Sequence, residues 1–131
     1  MILDTNAYSA LARNAPSIVD SINQARQVAL PLPVIAELRY GFAMGNQPDR
    51  NEALLERFLA QPQASVLSPS INTTWHYAKL QKYCRQQGRA LSNNDIWIAA
   101  LAQEAADTLA TYDADFKIFA DLFGDKLLLL T

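Results

Sequence analysis

Four carboxylates, far apart in the chain, stand where predicted elements begin or end: Asp4, Glu37, Asp95 and Asp113. Asp4 follows the apolar Met-Ile-Leu, and Asp113 follows Thr-Leu-Ala-Thr-Tyr, so at both places a strand-like run empties into an acid. In a parallel sheet the C-terminal strand ends share one edge, and that edge is where α/β folds bind ligands. Two bare carboxylates ~4 Å apart repel by about 4 kcal/mol at an effective dielectric of about 20. Several together need protonation or a divalent cation, and an oxygen-only donor set suits Mg²⁺ or Mn²⁺ rather than zinc. The lone His76 cannot build a zinc triad, and the lone Cys84 excludes an internal disulfide and a cysteine cage. No Ser/His/Asp or Cys/His set argues for covalent catalysis.

Each acid also has a purely structural reading. Asp4 or Asn6 can cap the helix after the first strand, and capping explains Asn6 better than Asp4. An ionised Asp4 behind three apolar residues needs a partner, and a cation is a natural one. Glu37 has no Lys or Arg three or four positions away, which removes the usual intrahelical ion pair. Asp95 follows Ser92, Asn93 and Asn94, and an acid in a first helical turn gains about 0.3–1 kcal/mol from the helix dipole. The apolar Ile-Trp-Ile-Ala-Ala-Leu-Ala behind it implies a buried helix whose N-terminus points inward. Asp113 and Asp115 compete for one role, the other serving turn chemistry.

The elements that must position these groups alternate in type. Strands are predicted at Ile2–Asp4, Val28–Leu32, Ala64–Leu67, Thr108–Thr111 and Leu127–Leu130 from short apolar runs. Helices are predicted at Tyr8–Arg13, Pro16–Arg26, Pro33–Met44, Asp49–Ala60, Ile71–Gln87, Asn94–Ala105 and Phe116–Phe123, with Gly45, Gly88 and Gly124 marking ends. This order is that of a parallel sheet flanked by helices, with short connections and no repeats.

The helix at Ile71–Gln87 separates into two faces when wound at about 100° per residue. Thr73, Tyr77, Leu80 and Cys84 share the side assigned to the core. Lys79, Lys82, Arg85 and Arg89 form a basic stripe opposite, together with Ile71 and Trp75. A solvated face, a phosphate-tracking stripe and an oligomer contact anchored by Trp75 all remain open for it.

With 131 residues the chain has room for one sizeable core, and 50% hydrophobic with 18% charged residues excludes a disordered polymer. A net charge of −2 and a pI near 5.2 argue against coating nucleic acid by bulk electrostatics, but acids around a metal are compatible with basic residues lining a path elsewhere. The first residues read as strand rather than leader, and the apolar run Ile96–Ala102 is far short of the ~20 residues of a membrane span. A soluble, cytoplasmic protein is expected.

Four segments, Leu-Asp-Thr-Asn at the start, Ala-Glu-Leu-Arg-Tyr-Gly at 36–41, Asn-Asp-Ile-Trp-Ile-Ala-Ala at 94–100 and Leu-Ala-Thr-Tyr-Asp-Ala-Asp-Phe at 109–116, together resemble the PIN-domain family, especially its VapC-type ribonuclease toxins. The resemblance runs over essentially the whole chain. It implies one nuclease domain over residues 1–131 with a three-layer α/β/α fold around a mainly parallel sheet of four to five strands. It also implies a Mg²⁺- or Mn²⁺-dependent endoribonuclease with Asp4, Glu37, Asp95 and Asp113 as its acidic set. Asp4, Asp95 and Asp113 would hold metal, Glu37 would ligate directly or through water, and Asp115 is the less favoured fourth ligand. Thr5, Asn6 and Thr111 match supporting polar positions, and the bulky Trp97 beside Asp95 bears on the pocket's shape. A homodimer and a small inhibitory antitoxin are the implied partners. Arg39, Lys79, Lys82 and Arg85 are candidates for the RNA backbone. Two other readings compete: a PIN-fold binding module with little turnover, and aspartyl phosphotransfer at Asp4. The second lacks an acid two residues on, where Asn6 stands, and a lysine after a late strand.

Overall fold

Parallel strands covered on both faces must be apolar throughout, and three short runs here meet that demand. In the computed structural model, which describes all residues Met1–Thr131, β1 (Ile2–Leu3), β2 (Val28–Pro31) and β4 (Leu109–Thr111) are buried at every position. They form the middle of a five-stranded sheet in the order β3-β2-β1-β4-β5, with β3 (Ala64–Leu67) and β5 (Leu127–Leu129) at the edges. Every pairing is parallel, and Ile2 sits beside Ala29 on one side and Leu109 on the other. β3 turns Ser65 and Val66 to solvent, as an edge strand can.

Seven α-helices connect and cover the strands: α1 (Thr5–Ala12), α2 (Pro16–Asn23), α3 (Leu32–Met44), α4 (Pro48–Leu59), α5 (Ile71–Gln86), α6 (Asn93–Ala105) and α7 (Ala120–Phe123). Proline stands in the first turn of α2, α3 and α4, where its missing N–H is harmless. The core is one cluster of 25 buried residues shared by sheet and helices. α6 carries the most continuous apolar surface, with Ile96 and Ile98 to Ala102 all buried, as expected for a helix sunk between neighbours.

Element ends shift by up to three residues, α2 stopping at Asn23 rather than Arg26, and three differences have a clear physical reason. α1 starts at Thr5 rather than Tyr8, because Asp4 itself accepts the Ala7 N–H and caps the helix immediately after the strand. Leu32, read as the end of a strand, opens α3. The helix read over Phe116–Phe123 is instead a 3₁₀ segment, Ala114–Phe119, followed by the single turn α7. Residues three apart eclipse in a 3₁₀ turn, which puts Phe116 and Phe119 into the core together, both fully buried.

α5 lies antiparallel to α6. Asn72 near its start donates to Glu104 near the end of α6 at 2.8 Å, and Gln81 near its end donates to Asn93 at the start of α6 at 3.1 Å. Thr73, Leu80 and Cys84 are buried on the face read as inward, whereas Ile71 (83% exposed) and Trp75 (67%) point outward. Trp97 packs against Tyr77 in a tilted ring pair with centroids 4.4 Å apart, which directs its bulk toward α5.

Candidate active site

β1 sits between β2 and β4, so the chain progresses through the sheet in one direction from β1 to β3 and in the other from β4 to β5. Strand ends flanking such a reversal open a crevice between them. Asp4 follows β1 and Asp113 lies just beyond β4, so both stand at that crevice. α6 brings Asp95 in its first turn, and α3 brings Glu37 one turn beyond its start. These four acids, with Thr5, Asn6, Ser92 and Ile98, line a cleft of about 250 Å³.

Asp4 is the most enclosed of them, 4% exposed. Its Oδ1 accepts the Ala7 N–H at 2.9 Å, and its Oδ2 accepts the Thr111 hydroxyl. The same hydroxyl oxygen accepts the Asp113 N–H at 2.9 Å, so Thr111 ties the ends of β1 and β4 together. Burial pushes the Asp4 carboxyl up to about 6; the charges of Asp113 and Asp95 add to this, against the opposing hydrogen bonds from Thr111 and Ala7. Asp95 is also raised, first by burial and then by the charges of Asp113, Glu37 and Asp115. In both, burial is the leading cause and neighbouring negative charge adds to it.

Glu37 is held by the Thr5 hydroxyl at 3.0 Å and by the Asn94 amide, both on Oε1, which leaves Oε2 without a protein partner. Asp113 uses Oδ1 to accept the Asp115 N–H at 2.9 Å, starting the 3₁₀ segment. Asp115 is not in the cleft. It is exposed and faces Arg89 at 3.6 Å. Asn6 lines the cleft from the first turn of α1 while Asp4 does the capping, the reverse of the division of labour expected from sequence.

Among the basic candidates, Arg39 is engaged by Glu52 of α4, with Nε to Oε1 at 3.0 Å and a second guanidinium nitrogen at 2.7 Å. Lys79, Lys82 and Arg85 are exposed on α5 and make no ion pair. Sequence reasoning had Ser92 among the capping residues ahead of Asp95 but missed the reach of Asn94 to Glu37. Ser92 caps α6 by accepting the Asp95 N–H at 3.1 Å, and Asn94 reaches Glu37. The signal was present as surplus: a single cap needs one polar residue, and Ser-Asn-Asn offers three.

The donor chemistry suits a hard cation, since every polar side chain lining the cleft offers oxygen and none offers sulfur or imidazole. Nowhere in the chain do three Asp, Glu, His or Cys side chains close around one point. An ion here would complete its shell with water, as Mg²⁺ habitually does.

A family profile described as PIN domain matches residues 1–122. Ribonuclease VapC1 of Haemophilus influenzae is 30% identical over 126 residues, 92% of each chain. Among solved structures, VapBC2 from Rickettsia felis, bound to a DNA fragment from its promoter, superposes with a TM-score of 0.80 at 26% identity, covering 98% of this chain and 96% of the other. VapBC-5 from Mycobacterium tuberculosis, a member of the VapBC family of toxin-antitoxin systems, gives 0.72 at 27% identity, covering 98% and 95%.

Proposed function

The chain belongs to the PIN-domain family, with VapC ribonucleases among its relatives, and from that membership we propose that it is an endoribonuclease toxin that hydrolyses RNA phosphodiester bonds at the four-acid cleft. The observation that carries this reading is the cleft itself, which acids from four separate stretches of the chain line together at the reversal point of the sheet. The whole span 1–131 acts as one nuclease domain.

Asp4, Asp95 and Asp113 would hold Mg²⁺ or Mn²⁺, directly or through water, and Glu37 would ligate or orient the attacking water. When bound, the ion supplies a more acidic water and neutralises charge on the scissile phosphate. The chain's own groups do the positioning. Thr111 fixes the carboxylate plane of Asp4, and Thr5 with Asn94 fixes Glu37 so that its free Oε2 can accept a hydrogen bond from water. Ile98 gives the cleft an apolar wall. No side-chain nucleophile is needed.

Two protein partners follow from the same reading. A cognate antitoxin is proposed because relatives such as VapBC-5 belong to toxin-antitoxin systems. A homodimer is proposed because Tyr40, Met44, Ile71 and Trp75 each leave a large apolar side chain mostly in solvent, residue types that protein interfaces favour. Sedimentation velocity on wild type and Trp75→Glu tests the second: a wild-type monomer at micromolar concentration removes it. No helix is long and apolar enough to cross a membrane, and a cytoplasmic location is proposed to match an RNA substrate.

The test is incubation of purified protein with mixed cellular RNA in Mg²⁺, Mn²⁺ or EDTA, with mapping of cut sites. Discrete cuts that need the metal and vanish in Asp95→Asn are expected. Cutting that persists in EDTA, or that Asp95→Asn retains in full, overturns the proposal. Absence of any cutting leaves the binding-module reading in its place.

A further inference from the structure

Charge is distributed unevenly along this chain. Between Arg57 and Asn94 there are five Lys or Arg and no Asp or Glu, a local charge of +5 in a chain whose total is −2. Four of the five, Lys79, Lys82, Arg85 and Arg89, fall on α5 and the turn that follows it. Lys79, Lys82 and Arg85 lie at intervals of three along the outer face, extend about 9 Å along the helix axis, and have no acidic neighbour in ion-pair range.

This basic half of α5 adjoins the segments that carry two of the cleft acids. Gln81 contacts Asn93 beside the first turn of α6, two residues before Asp95. Arg89 reaches Asp115, two residues beyond Asp113. The row is therefore carried on the element next to those that hold Asp95 and Asp113, although no α5 side chain lines the cleft itself. The other half of the outer face, Ile71 and Trp75, is apolar. A solvated helix face gains nothing from like charges at spacings of three, which repel one another. A polyanion laid along the row removes that penalty.

We propose that Lys79, Lys82 and Arg85 form a track for the sugar-phosphate backbone of the RNA strand that enters or leaves the cleft, with Arg89 as the link between track and cleft. The inference rests on the RNA-cleaving reading of that cleft, and it adds where the strand runs. It divides the outer face of α5 by function, the apolar first half for protein and the basic second half for nucleic acid. Backbone contacts of this kind hold a strand in register without reading its sequence, so target choice must come from groups nearer the cut.

The test separates track from catalysis by working without metal. Binding of a fluorescein-labelled single-stranded oligouridylate is followed by anisotropy in EDTA across a salt series. The subjects are wild type, the triple variant Lys79→Gln, Lys82→Gln, Arg85→Gln, and a charge-matched control, Arg13→Gln, Arg26→Gln, Lys117→Gln. All six positions are exposed, so unchanged circular dichroism is expected. Losing three phosphate contacts should lower the slope of log K against log salt by roughly 2, at about 0.7 per contact on a single strand. The control should keep the wild-type slope. Equal losses in both variants point to bulk charge and overturn the track, as does a wild type that binds no RNA. An acidic protein partner as the true occupant would appear as unchanged RNA affinity in the stripe variant. Asp95→Asn should bind RNA like wild type while failing to cut, so failure of the nuclease reading and failure of the track give different results.

Discussion

Thr111 and Asp4, 107 residues apart in sequence, are hydrogen-bonded in the buried floor of the cleft, hydroxyl to carboxylate. The pairing is possible because β1 and β4 are adjacent and in register, Leu3 beside Ala110, so the next residue of each strand arrives at the same edge. Since Thr111 also accepts the Asp113 N–H, one hydroxyl holds the carboxylate of one acid and the backbone of another.

Thr111→Val keeps the shape and removes the hydroxyl. An unpaired buried acceptor costs about 1–3 kcal/mol, so the melting temperature should drop in metal-free buffer. Loss of an orienting partner should lower the RNA cleavage rate by roughly 10–100-fold. Thr111→Ser should recover most of both. A valine variant as active as wild type would show that Asp4 needs no such support.

The raised carboxyl of Asp4 sets a pH dependence of stability. Its folded value of about 6 lies above the ordinary 3.8, so the folded state holds the proton more tightly than the unfolded one. The resulting stabilisation is complete below about pH 4 and is lost as pH rises through about 6, a swing of about 3 kcal/mol. In EDTA, wild type should melt lower at neutral pH than at mildly acidic pH, and Asp4→Asn should flatten that dependence and melt higher at neutral pH. It should also abolish cleavage. Thermal denaturation of both proteins across this range decides the matter; parallel curves would contradict it.

Glu37 is positioned by two neutral donors rather than by a cation, so removing one should misplace it without leaving an orphaned charge. Asn94→Ala should reduce the cleavage rate roughly 10–100-fold with little change in melting temperature. Thr5→Ala should act in the same direction. If neither changes the rate while Glu37→Gln does, the carboxylate is fixed by something else.

Asp113 and Asp115 are separable by substitution. Asp113 lines the cleft, and Asp115 faces Arg89 at the surface at 3.6 Å. An exposed pair of this kind is worth at most about 1 kcal/mol. Asp113→Asn should eliminate RNA cleavage, whereas Asp115→Asn should retain a large part of it. The opposite ranking in a single-turnover cleavage assay would reassign the fourth acid.

Local sequence was enough for most of the fold. Unbroken apolar runs such as Val28-Ala-Leu have only a doubly covered strand to occupy, and helical spacing with proline starts and glycine ends delimits the helices. The acids also announced themselves, because a carboxylate directly after Met-Ile-Leu has no reason to be there without a partner. What local pattern could not decide were relationships between elements. Whether Asp4 or Asn6 caps α1 depends on where the strand lets go of its last residue. The 3₁₀ form of the segment after Asp113 depends on two phenylalanines finding the core together. Arg39 was a free cation in sequence until α4 brought Glu52 against it. Nor does any helical wheel tell that Asn94 faces Glu37, since the two are 57 residues apart and meet only because α3 and α6 are neighbours at one end of the sheet. Periodicity reports which side of an element is buried; strand order and register decide what lies on that side.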